Sequence, residues 1–100
     1  MRLPDEFEKA ASGAIVRVSV EARASSGVRR AGLAVAYSTN DVGNSGWRNF
    51  RLRQDFSTFE FTWAVPTMIA GNGDYIGLHA ILGLPIEIRR VTAEVVDSSS

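Results

Sequence analysis

Beyond Gly13 the chain alternates apolar and polar side chains: Val16, Val18, Val20, Ala22 and Ala24 share one parity, and Ile15, Arg17, Ser19, Glu21 and Arg23 the other. A period of two is the signature of a half-buried strand. Five further β segments follow at about 32–39, 47–53, 56–65, 75–82 and 86–96, each bounded by Gly, Asn, Asp, Ser or Pro. The first 13 residues differ. Pro4, the acids Asp5 and Glu6 and the stop at Gly13 predict a short helix anchored by Leu3 and Phe7. Six strands without a second helical pattern predict an all-β chain, an antiparallel β-sandwich of the jelly-roll kind, as one domain over 1–100 with a frayed tail at 97–100.

The last segment changes parity. Ile86 and Ile88 are even, whereas Val91, Ala93 and Val95 are odd, so a β-bulge is expected near Arg89 and Arg90. Gln54 and Asp55 are read as a two-residue hairpin loop pairing Arg53 with Phe56, Arg51 with Thr58, Asn49 with Glu60 and Trp47 with Thr62. The opposite face of this hairpin carries Phe50, Leu52, Phe59, Phe61 and Trp63 and is assigned to the core. Trp47 then shares the outer face with Asn49, Arg51, Thr58, Glu60 and Thr62. An indole among amide, carboxylate and guanidinium groups suits a sugar, which offers an apolar CH face for stacking and hydroxyls that donate and accept. The competing reading has Trp47 capping the sandwich edge beneath the loop at 43–46.

Charge narrows the function little. Eleven basic and eleven acidic side chains balance, ten of the basic ones being arginine, so overall charge directs the chain to neither nucleic acid nor anionic membrane. No apolar run reaches the roughly 18 residues of a membrane span, and the acidic start is unlike a signal peptide. Without cysteine there is no disulfide or thiolate site, and the redox compartment stays open. His79 is the only histidine and the acids are scattered, which leaves catalytic triads, multi-histidine metal sites and paired-carboxylate hydrolysis without candidates. No enzyme activity and no cofactor are expected. Asn72-Gly73-Asp74 and Asn40-Asp41 are rich in oxygen ligands but read first as turns rather than calcium loops.

The element order AIVRVSVEARA, AGLAVAYST, GWRNFRL, FSTFEFTWAVP, DYIGLHA and IEIRRVTAEVV, over residues 13–96, resembles the galactose-binding-like jelly roll of bacterial carbohydrate-binding modules. The resemblance implies a β-sandwich, frequent attachment to glycan-processing enzymes, and in some members a structural calcium ion. Two departures stand out: six strands replace the usual eight or more, and the closing strand has no inward acid, Asp97 coming only at its end.

A noncatalytic carbohydrate-binding module is therefore expected, with Trp47, Asn49, Arg51 and Glu60 as one patch and Asn72, Asp74 and Tyr75 contributing from a nearby loop. The alternative is a structural or assembly domain contacting protein. Leu33, Ala34, Val35, Ala36 and Tyr37 are apolar on both faces, so something should cover them: a second copy in a homodimer, a neighbouring segment of a longer chain, or the N-terminal helix.

Overall fold

A computed structural model describes residues 2–39, 44–65 and 74–98. Its elements are helix α1 (Asp5–Ala11) and strands β1 (Ala14–Ala24), β2 (Ala31–Ser38), β3 (Arg48–Leu52), β4 (Ser57–Ala64), β5 (Tyr75–Ile81) and β6 (Ile86–Ser98). The strands form two antiparallel three-stranded sheets, β4-β1-β6 and β3-β2-β5, packed face to face. The chain is all-β, and the helix is a small addition. Among the described strands only β2 and β3 are consecutive neighbours in one sheet; every other connection crosses between the layers.

β1 is central because its even side chains line the core while its backbone pairs on both sides. Val16, Val18 and Val20 face Trp63, Phe61 and Phe59 on β4, and Val95, Ala93 and Val91 on β6. The bulge falls where the parity change requires it. Glu21 pairs with Arg90 and Ala22 with Ile88, so Arg89 is the additional residue, and both Ile88 and Val91 can follow the inward row of β1. A second irregularity, between Ile15 and Val16, lets β6 run on to Ser98 opposite Ala14. Asp97 and Ser98 thus belong to a strand rather than a frayed tail.

The expected hairpin at Gln54 and Asp55 does not form. β3 pairs with β2, from Ala31 opposite Leu52 to Val35 opposite Arg48, whereas β4 pairs with β1. The inward parity survives because the aromatic rows meet across the layers: the Phe50 ring lies 5.3 Å from Phe59 and 6.5 Å from Phe61. Gln54-Asp55 lacks the glycine or Asn-Gly that the tightest hairpin turns prefer. Crossing to the other sheet buries both aromatic rows against one another.

β2 is likewise not an exposed edge. Leu33, Val35 and Tyr37 point into the core, and β3 and β5 flank the strand. Leu3 and Ala11 are buried in the same core and Phe7 packs against it, so the N-terminal segment closes part of the sandwich, the alternative weighed against a second copy. Arg2 forms a bridge to Tyr75, and the Leu3 amide donates to the Asp74 carbonyl at 2.8 Å, holding this segment beside β5.

Candidate functional site

The outward residues of β3-β2-β5 form four rows. Asn44, Ser38 and Tyr75 make the first, through the Ser38–Asn44 bridge and the Ser38–Tyr75 pair. Ala36 and Gly77 make the second, with Trp47 beside them. Asn49, Ala34 and His79 are the third, and Arg51, Gly32 and Ile81 the fourth. Alternate residues rise about 6.8 Å, so four rows extend roughly 20 Å. Small residues form the floor of this trough along β2, and Ile81 leans over its Gly32 end, where an added Cβ would stand 2.9 Å from Ile81 Cδ1.

Trp47 commands the trough. A Cβ added at Gly77 would stand 3.2 Å from its Cη2, which shows the six-membered ring reaching across β2 onto β5. The ring lies 6.1 Å from His79, centre to centre. Ala34 points outward and is nevertheless buried, while Trp47 remains 57% exposed. A hollow of about 250 Å³ opens beside the indole, lined by Ala36, Ser38, Asn44, Tyr75 and Gly77. The turn before Trp47 is braced: the Tyr37 amide donates to Ser45 Oγ, the Ser45 amide to the Tyr37 carbonyl, both at 2.9 Å, and the Gly46 amide to Asn44 Oδ1 at 2.8 Å. Gly46 has φ of 73°, a conformation that glycine adopts without a Cβ clash. These hydrogen bonds hold the turn that carries the indole.

The residues expected to form one patch are divided. Trp47, Asn49, Arg51 and Tyr75 share the trough. Glu60 does not, because β4 belongs to the other sheet; there it faces outward and accepts from Ser19 Oγ at 3.4 Å. The false hairpin had placed it opposite Asn49. Asp74 is buried, its carboxylate accepting from the Tyr37 hydroxyl, so it serves the core rather than a ligand. Asn72 lies outside the described residues, as do Asn40, Asp41 and Gly73 of the weighed calcium turns. Among the described residues no three His, Asp or Glu side chains gather as metal ligands.

Ser38, Asn44 and His79 were missed as site residues. Their parity along β2 and β5 was readable, but nothing local said that those strands flank β3. Neither a protein-family model, nor a curated protein, nor a solved structure matches the chain.

The outer face of β4-β1-β6 is chemically different. Three ion pairs run along it: Arg17 with Glu94 at 3.0 Å, Arg23 with Glu87, and Arg89 with both carboxylate oxygens of Glu21 at 2.6 and 2.8 Å. The hydrogen bonds from Arg89 are the main cause holding the Glu21 carboxyl below its ordinary range, and they raise Arg89 in return. Arg23 and Arg89 also lie over the Phe56 ring, at 4.4 and 4.3 Å from its centroid. Most charge on this face is paired, whereas the trough leaves an indole and several hydrogen-bonding groups open to solvent.

Proposed function

We propose that the chain is a noncatalytic carbohydrate-binding module, of the galactose-binding-like jelly-roll kind that its strand order resembles, with a glycan lying along the outer trough of β3-β2-β5. The observation that carries this reading is the exposed indole of Trp47, carried by the braced turn and lying among Ser38, Asn44, Tyr75 and His79, with Asn49 and Arg51 further along the same face. A sugar ring stacks its CH face on an aromatic plane and needs hydrogen-bonding groups around it for its hydroxyls. A shallow, open trough suits an extended chain better than a small enclosed substrate. Affinity then comes from stacking and a few hydrogen bonds.

Titration with neutral and acidic oligosaccharides, followed by tryptophan fluorescence and amide shifts, tests the assignment. Shifts should concentrate on rows Asn44–Ser38–Tyr75 and Trp47–Ala36–Gly77. Gly77→Val should weaken binding without exchanging any core residue, since its side chain would displace the indole. If no saccharide shifts Trp47, and sedimentation instead gives twice the 10.9 kDa chain mass with Trp47 protected, assembly is the function of this face.

A further inference from the structure

The overall charge balance conceals an uneven distribution. At the end of the sandwich where β1 leads into β2 and β3 leads into β4, Arg29, Arg30, Arg51 and Arg53 line one basin of about 570 Å³ together with Leu52, Gln54 and Asp55. Four arginines line it, against a single acidic residue, Asp55. All four arginines are exposed, and among the described residues none of them has a side-chain hydrogen bond or an ion pair. Elsewhere Arg17, Arg23 and Arg89 each have a carboxylate partner, Arg48 lies over the Phe61 ring, and Arg90 lines a smaller polar hollow. Two contacts fix the basin's walls to one another, from the Ala24 amide to the Arg53 carbonyl at 2.7 Å and from Gln54 Nε2 to the Val28 carbonyl at 3.4 Å.

Arg51 links the basin to the face that carries Trp47: it ends the outward series Trp47, Asn49, Arg51 along β3 and lines the arginine basin. We infer that the glycan is acidic, its sulfate or carboxylate substituents being held by Arg29, Arg30, Arg51 and Arg53 while its sugar rings lie on Trp47. This rests on the carbohydrate-binding reading. Guanidinium forks match such oxyanions with two parallel hydrogen bonds, and charge-assisted bonds of this kind are about twice as strong as neutral ones. Like charges brought together unpaired raise the local potential that draws in an anionic chain.

Dextran, carboxymethyl dextran and dextran sulfate share one backbone and separate the contributions; inorganic polyphosphate supplies anions without sugar. Dextran sulfate or carboxymethyl dextran should bind roughly tenfold or more tightly than dextran, with a steeper salt dependence, and should shift both Trp47 and the basin amides. The double substitution Arg29→Ser/Arg30→Ser removes two of the four basin charges and should reduce that advantage severalfold while leaving Trp47 shifts by neutral saccharides unchanged. Equal binding of neutral and acidic dextrans, no binding of either acidic dextran, or acidic binding indifferent to the double substitution overturns the inference. If neutral saccharides still shift Trp47 in those cases, the carbohydrate reading stands without it. Acidic dextrans and polyphosphate binding alike at the basin, with Trp47 silent, would overturn both and leave an anion site. Which acidic dextran is preferred distinguishes sulfate from carboxylate.

Discussion

The hydroxyl of Tyr37, at the core end of β2, donates to the buried carboxylate of Asp74 immediately before β5. Asp74 begins the segment that enters the sheet, and its carbonyl also receives the Leu3 amide. Together these two hydrogen bonds join three stretches of chain that are distant in sequence. Tyr37→Phe should cost about 1–3 kcal/mol, because a buried carboxylate loses a donor that water cannot easily replace. Urea melts of the two proteins measure it. The saccharide response of Trp47 should be retained in the folded variant, since Asp74 lies in the core rather than in the trough.

The two tryptophans should separate stability from binding. Trp63 packs its ring 5.3 Å from Tyr37 inside the sandwich, so Trp63→Ala should cost about 3 kcal/mol. Trp47→Ala removes a side chain more than half exposed and should cost far less while abolishing saccharide-induced shifts. Denaturant midpoints compared with titrations decide this; equal losses of stability would mean that Trp47 is part of the core.

Acid should weaken the Glu21–Arg89 link in a defined direction. The Glu21 carboxyl is held below its ordinary value, mainly by the Arg89 hydrogen bonds. A carboxylate favoured in the folded state contributes stability above its unfolded pKa, about 4.3, and loses that contribution as pH falls through its lower folded value. Relative to Glu21→Gln, the wild type should therefore hold an advantage near neutral pH that disappears in strong acid. Urea midpoints across an acid series check the sign, and added salt should shrink the difference.

Leu82 occupies a backbone conformation that suits glycine or asparagine. Its φ is 58°, followed by Gly83 at 67°, with the Leu84 amide donating to the Ile81 carbonyl at 3.3 Å. Positive φ at both central residues is the pattern of a type I′ turn. At 88% exposure the leucine gains nothing from burial that would offset the strain. Leu82→Asn should stabilise the fold by about 1 kcal/mol, read as a higher denaturation midpoint. A lower midpoint would mean that the leucine makes a stabilising contact.

Individual strands were legible because each fits a period of two. Five residues of one parity on β1, and the parity change across Arg89, sufficed to fix which side chains point inward and where the extra residue had to be. Trp63 inward and Trp47 outward follow from the same rule. The pairing of Asn49 with Glu60 failed because parity tells a side chain which way it points, not which sheet it belongs to.

That division has a physical origin. Inward and outward positions are set by alternation along an extended backbone, a local property carried by every short stretch of sequence. Sheet membership depends on which strands find one another across long loops, and a row such as Phe50, Phe59 and Phe61 buries equally well side by side or face to face. Only the folded chain chooses, and it places the aromatic rows across the layers, sends Glu60 to the far face and gathers Trp47, Tyr75 and His79 over the small residues of β2. The arginine basin arises the same way: Arg29 and Arg30 lie more than 20 positions before Arg51 and Arg53 in the chain, and it is the pairing of β2 with β3 that brings the four charges together.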